Sequence, residues 1–322
     1  MKKFLIYVGT WLLLTSCGEE ELIISDFLEF ERVAILDAWN IHNAAGFLAA
    51  EDQGSLYIAS REPNPETTLL GERLLRFDVK EETVTPDYLD IIDFVTKEIH
   101  IIEDDIIIVA GQHVNTYDLN FESEPTSVPH GLLLSRFGST LYEGDIYIWG
   151  GDLNDVDSDK LKRWNTENNS FETIATLPAR KAGAHGEVVD DKLYIFGGQE
   201  HWVEEPPNDL IIIYDFKNEA FETANLPFPV YRTFTDVYKE KIFIAGQIID
   251  NDPFTEDLDI FFALFDPDDN TIKELETSLS DVDFRTIHQM AIYENDIYVL
   301  YGDVGEDPGE INLMKHTIRT FP

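Results

Sequence analysis

A single cysteine, Cys17, stands in a chain of 322 residues, so no intrachain disulfide can form. Neither a multi-cysteine zinc site nor an iron–sulfur cluster has its ligands. Basic side chains are scarce as well. The chain sets 23 lysines and arginines against 63 aspartates and glutamates, a formal net charge of -40. Such a surface cannot displace counterions from a phosphate backbone, and anionic lipid headgroups repel it. The charge therefore argues against a nucleic-acid partner and disfavours adsorption of the folded domain onto anionic lipid headgroups. No apolar run is long enough for a comfortable bilayer span; Phe4 to Leu14 covers only eleven residues and is interrupted by Gly9 and Thr10. Also missing are a Gly-x-Ser-x-Gly elbow, a phosphate-cradling glycine loop and a His-Glu-x-x-His pair. What the chain does have is core material: 43% of it is hydrophobic and 12% aromatic, so it can fold.

The N-terminus carries an address. Lys2 and Lys3 form a basic head, the short apolar run follows, and Leu14-Thr15-Ser16-Cys17 closes it with small residues before the cysteine. These four residues resemble the lipobox of bacterial lipoproteins. The resemblance implies cleavage before Cys17, acylation of its thiol and a lipid anchor, each buried CH₂ contributing about 0.8 kcal/mol. Gly18-Glu19-Glu20-Glu21 resembles the acidic surface-export signal of Bacteroidota lipoproteins. A bacterial outer-membrane lipoprotein is expected, at the cell surface or on the periplasmic face. The chain divides into a signal peptide at 1–16, an acidic tether at 17–27 and one domain at 28–322.

That domain repeats. An apolar-aromatic segment ending in small residues recurs as Leu56-Tyr57-Ile58-Ala59, Ile106-Ile107-Ile108-Val109-Ala110-Gly111 and Ile146-Tyr147-Ile148-Trp149-Gly150-Gly151. It returns as Leu193-Tyr194-Ile195-Phe196-Gly197-Gly198, Ile242-Phe243-Ile244-Ala245-Gly246 and Ile297-Tyr298-Val299-Leu300-Tyr301-Gly302. Successive starts lie 50, 40, 47, 49 and 55 residues apart. A second marker keeps the same phase: Arg76-Phe77-Asp78, Thr116-Tyr117-Asp118, Arg163-Trp164-Asn165, Ile213-Tyr214-Asp215 and Leu264-Phe265-Asp266, decaying to Met314-Lys315-His316. Short β-branched and aromatic runs punctuated by Gly, Pro, Asn and Asp read as strands, about four per unit.

This pattern resembles the kelch repeat, which implies a β-propeller. The units at 133–178 and 179–227 carry its double glycine and later aromatic; Ala59-Ser60 stands in the glycines' place in the first unit. The fold class expected is all-β, a six-bladed kelch-like propeller, with seven blades as the alternative. The last unit has no room for its own fourth strand, so residues 28–36 are expected to supply it and close the ring.

In propellers of this kind the innermost strands line a central channel. Arg136, Arg180, Arg232 and Arg285 stand just upstream of the repeated segments, with His185 and His288 nearby. Guanidinium groups gathered at a channel mouth suit a carboxylate or sugar acid; the competing role is structural pairing within each blade. Trp202, beside His201 in an acidic loop, is placed to stack on a sugar ring. Asp155-Val156-Asp157-Ser158-Asp159 alternates like a calcium loop, but Lys160 takes the place of the required glycine and Thr166 that of the bidentate acid. No metal and no cofactor is expected. A copper-radical oxidase, also built on kelch blades, needs a cysteine crosslink that Cys17 does not offer.

Two functions follow. The first is a membrane-anchored, monomeric binding or scaffold module for a protein or glycan partner. The second is a sugar-acid mutarotase resembling N-acetylneuraminate epimerase, needing an acid/base group and an arginine. The sequence leaves open whether the protein is an enzyme.

Overall fold

A computed structural model describes residues 24–36, 46–50, 54–63, 70–89, 98–119, 123–151, 159–199, 207–249, 258–279, 285–303 and 311–319. Cys17, Trp202 and most of the tether and acidic loops lie outside the described residues.

Two strands come first, β1 (Phe27–Leu28) and β2 (Glu31–Leu36). Blade 1 follows as β3 (Gly46–Ala50), β4 (Ser55–Pro63), β5 (Leu70–Asp78) and β6 (Thr83–Leu89). Blade 2 is β7 (Glu98–Ile102), β8 (Asp105–Val109), β9 (His113–Asp118) and β10 (Thr126–Pro129). Blade 3 is β11 (Phe137–Tyr142), β12 (Asp145–Gly150), β13 (Lys160–Asn165) and β14 (Ser170–Thr176). Blade 4 is β15 (Gly186–Val189), β16 (Lys192–Phe196), β17 (Leu210–Asp215) and β18 (Ala220–Asn225). Blade 5 is β19 (Arg232–Tyr238), β20 (Lys241–Ile249), β21 (Leu258–Asp266) and β22 (Thr271–Thr277). Blade 6 has three strands of its own: β23 (Arg285–Tyr293), β24 (Asp296–Asp303) and β25 (Ile311–Thr317).

Each blade is an antiparallel meander, and the first strands pack in sequence around the axis, β23 meeting β3 to complete the circle. The result is a six-bladed β-propeller. The first sequence marker falls on the second strand of each blade and the second marker on the third. The latter ends in Asp or Asn for a reason. The carboxylate of Asp78 accepts from the backbone N–H groups of Lys80 and Glu81, Asp215 from Lys217 and Asn218, and the Asn165 amide oxygen from Glu167 and Asn168. These Asx turns fold the third strand back into the fourth.

Six apolar clusters of described residues fill the six blade interfaces. Alternation puts one face of each middle strand into each neighbouring interface, which is why these strands are apolar along their whole length. Glycine is obligatory where blades approach most closely. At Gly150 φ is +71°, and a Cβ there would stand 1.6 Å from the Lys181 carbonyl oxygen of the next blade. Gly150→Ala should cost roughly 2–4 kcal/mol through that collision and its left-handed backbone. Urea unfolding measures it, and a loss below about 1 kcal/mol would show that the interface yields.

The N-terminal segment closes the ring. β2 pairs antiparallel with β25 as the fourth strand of blade 6, from Glu31 opposite Lys315 to Leu36 opposite Ile311. β1 adds a contact that the repeat did not announce: it runs parallel to β22, a fifth strand on blade 5. Between them Phe30 is buried 5.4 Å from Phe262 and 5.7 Å from His316, ring centroid to centroid. The segment thus straps two blades together.

Candidate functional site

The inner strands end in two-residue hairpins, which give a common origin for counting. Two residues before the hairpin stand His100, Thr140, Glu187, Asp236 and Ala291. Four before stand Glu98, Gly138, His185, Phe234 and Gln289. Side chains two apart share a face of a strand, so these form successive levels. Both levels contribute to a cavity of about 320 Å³ on the channel, walled by Glu98, His100, Ser139, His185, Glu187, Thr235, Asp236 and Gln289 with Ile99, Ile101, Leu141, Val188 and Met290 between them.

A hydrogen-bond network crosses the channel. His185 is held from both sides: Nδ1 meets the Thr233 carbonyl oxygen of blade 5, and Nε2 lies 2.9 Å from Glu98 Oε1 of blade 2. A carbonyl can only accept, so Nδ1 carries a hydrogen. The contact of Nε2 with the carboxyl group then shares one further proton, as imidazolium–carboxylate or imidazole–carboxylic acid. Either way the pair is neutral overall and can give or take a proton at a fixed atom. His100 Nε2 lies 2.7 Å from Ser139 Oγ. Burial pushes the His100 imidazole down to about 4, so the ring is neutral at physiological pH.

The other carboxylates divide their roles. Asp236 accepts backbone N–H groups from Val237 at 2.7 Å and from Ile292 of blade 6 at 2.6 Å. Among the described residues Glu187 accepts from the Thr235 hydroxyl, at 3.0 Å. Burial, then the neighbouring Asp236, drives the Glu187 carboxyl well above the ordinary glutamate value; the Thr235 bond opposes them, and Glu98 adds a smaller push upward. The folded protein therefore keeps a proton on Glu187 that the unfolded chain releases above about 4.5, and stability contributed by this group is lost as pH rises beyond that point. His100 acts in the other direction. Its folded value lies below the ordinary 6.5, so stability is lost as pH falls from there towards 4. Glu187→Gln, which mimics the protonated acid, should be more stable than the parent at about pH 8, with the gap closing towards pH 4.5. Melting curves across this range test it; a gap independent of pH would count against a protonated Glu187.

Of the residues expected from the sequence, His185 lines the cavity. His288 does not. It is the extra residue of a β-bulge between Ile287 and Gln289, and the bulge puts Gln289 into the wall while His288 is buried elsewhere. Arg136 and Arg232 occupy equivalent positions one register step outside the Glu98–His185 level, Arg136 at φ +53° and Arg232 on the first residue of β19. Burial lowers the Arg232 guanidinium from its ordinary value. Arg180 is exposed in the loop before β15, and Arg285 begins β23 with its side chain outside the described residues. Arg136, Arg180 and Arg232 are not among the described residues of the cavity wall. Sequence reasoning missed Glu98, His100, Glu187, Asp236 and Gln289. Their signal was a polar residue on alternate positions of an otherwise apolar first strand.

Among the described residues no group of three or more His, Asp or Glu side chains is placed to hold a metal ion. No described helix is long and apolar enough to cross a membrane. The sequence matches no protein-family model and no curated protein. By shape, a solved structure of YjhT matches with a TM-score of 0.60 and 13% identity, over 84% of this chain and 94% of that one. At that identity the likeness is one of fold.

Proposed function

We propose that this protein is a lipid-anchored, six-bladed propeller of the kelch type, exported through the inner membrane, that binds a glycan in its channel. The observation that carries the reading is the cavity: about 320 Å³, at the lower end of the size range for small-molecule pockets, with hydroxyl, amide, imidazole and carboxyl groups from five blades around one space. Apolar side chains between them offer a face for a sugar ring. The anchor follows from Leu14-Thr15-Ser16-Cys17. Thermal shifts of the purified protein against neutral, amino and acidic monosaccharides test the binding. Detergent-phase partitioning of the parent and Cys17→Ala tests the anchor, the variant moving to the aqueous phase once the lipid is lost.

A second reading is a sugar mutarotase, favoured by the His185–Glu98 pair, a proton donor and acceptor beside a polar cavity. The sugar-acid form of this activity has weaker support, because among the described residues of the cavity wall there is no lysine or arginine. Polarimetry of freshly dissolved sugars, with His185→Asn as control, separates catalysis from binding alone.

A further inference from the structure

The His185 ring is engaged on every side within the protein. Its backbone N–H donates to Thr233 Oγ1 at 2.9 Å, and that hydroxyl donates in turn to the Phe196 carbonyl at 2.9 Å. Nδ1 donates to the Thr233 carbonyl, Nε2 meets Glu98 Oε1, and the ring lies 5.2 Å from that of Phe234, centroid to centroid. An imidazole with both nitrogens engaged has neither a hydrogen nor a lone pair left for a ligand. Glu98 differs. Its Oε1 is held by His185, whereas Oε2 meets no protein donor among the described residues, on a side chain that lines the cavity. The pair therefore meets a ligand through Glu98 Oε2.

A second carboxyl group lines the same space in different surroundings. Glu187 accepts from the Thr235 hydroxyl through Oε1, and Glu98 stands close enough to act on its charge. Burial keeps a proton on Glu187, while His185 offers Glu98 a place to pass one. Whichever atom holds the shared proton at rest, it settles on Nε2 as Oε2 receives another, so the pair accepts a proton from either arrangement. Two neighbouring carboxyl groups in unequal surroundings divide into an acid and a base. Opening the ring of a cyclic hemiacetal asks for just these two groups. One proton leaves the anomeric hydroxyl and one reaches the ring oxygen.

We infer that the channel cavity interconverts the anomers of reducing sugars, with Glu98 Oε2 taking the anomeric proton, Glu187 protonating the ring oxygen and His185 acting as a positioning residue behind Glu98. In the opening step the O–H bond on the anomeric carbon breaks and its proton joins Oε2. That oxygen forms a double bond to the anomeric carbon, and the bond from this carbon to the ring oxygen breaks. The released electron pair stays on the ring oxygen and takes the proton from Glu187. The open-chain carbonyl turns about its bond to the next carbon. Reversal of both transfers then closes the other anomer and restores both carboxyl groups. This inference rests on the mutarotase reading and names the groups that perform it.

The test is polarimetry of freshly dissolved glucose, galactose, N-acetylglucosamine and glucuronate with the full chain in detergent, each read against the uncatalysed rate. The parent should speed at least one of them saturably. Glu98→Gln should lower kcat by at least about a hundredfold, the scale of general acid–base catalysis, with KM within about threefold of the parent's. Glu187→Gln should lower kcat by a similar factor. Two replacements of His185 separate positioning from proton transfer. The amide nitrogen of glutamine stands near the place of Nε2 and reaches Glu98, whereas that of asparagine stands near Nδ1 and reaches the Thr233 carbonyl. His185→Gln should therefore keep a kcat at least about tenfold above that of His185→Asn. Near-UV circular dichroism establishes that each variant is folded. If Glu98→Gln does not fold, Glu98→Asp, which withdraws the carboxylate by one CH₂, carries the test through a lowered kcat at the parent's KM. Glu98→Gln turning over like the parent, with both His185 variants equally inactive, makes His185 the base; the assignment is then overturned and the mutarotase reading stands. Glu187→Gln at the parent's rate overturns the assignment of the donor. A parent that speeds none of the four sugars overturns the mutarotase reading and the inference with it.

Discussion

Deleting residues 19–37 is expected to leave a chain that does not reach the native propeller. The segment places Ile24, Leu28, Phe30 and Leu36 in the core, each nearly inaccessible to solvent. At about 1.5–3 kcal/mol for each buried side chain, they contribute roughly 6–12 kcal/mol, comparable with the whole stability of a typical domain. Backbone bonds go with them. Ser278 N–H donates to the Leu28 carbonyl at 2.9 Å, Glu276 N–H to that of Asp26 at 2.7 Å, and the Ser278 hydroxyl accepts from Phe30 N–H at 2.9 Å. Without β2 the outer edge of β25 is unpaired, and an open strand edge recruits other chains. Aggregation in size-exclusion chromatography is the predicted outcome. A monomeric deletion variant with the parent's melting temperature would falsify the closure.

Replacing Lys181 by methionine should have the second-largest effect. This lysine is fully buried ahead of β15, and its Nζ donates to the Gly197 carbonyl at 2.6 Å, Asn208 Oδ1 at 2.7 Å and the Leu210 carbonyl at 2.8 Å. The two carbonyls flank the connection between β16 and β17, so one ammonium ties both of its ends to the start of the blade. Methionine fills similar volume but leaves three acceptors without their donor. A loss of about 3–5 kcal/mol follows, as for a broken buried polar network. Urea unfolding at neutral pH measures it. A change below about 1 kcal/mol would mean that water or a neighbouring donor takes over the three bonds.

These two residue sets differ in how far the sequence revealed them. The strap was legible because it completes a count: six second-strand markers, a last unit without a fourth strand, and an apolar segment at the other end of the chain. Its pairing with blade 5 was not legible, since β1 is two residues long and carries no periodicity. Lys181 was hidden beside Arg180, the other cation of the blade's leading loop, which is exposed. Nothing in a lysine's neighbours along the chain tells whether it reaches water or three buried carbonyl groups.

The same division holds at the site. Expectation fell on arginines and histidines at the blade starts because they recur there. His185 lines the cavity, yet its partner Glu98 comes from two blades earlier, 87 residues away. At β23 one inserted residue exchanged His288 for Gln289, because side-chain direction in a strand alternates and a bulge shifts the alternation.

By itself the sequence determined the repeat, an all-β ring of six or seven blades with its closing strand, and the absence of disulfide staples, because all of these follow from periodicity and from the kinds of residue present; the structure fixed the number at six. Tertiary structure alone decided which polar side chains share the channel. Glu98, His100, Glu187 and Asp236 lie in strands whose local pattern fits a solvent-facing position equally well. Only the curvature of the ring turns them towards one another and away from water, and that curvature is a property of all six blade interfaces together.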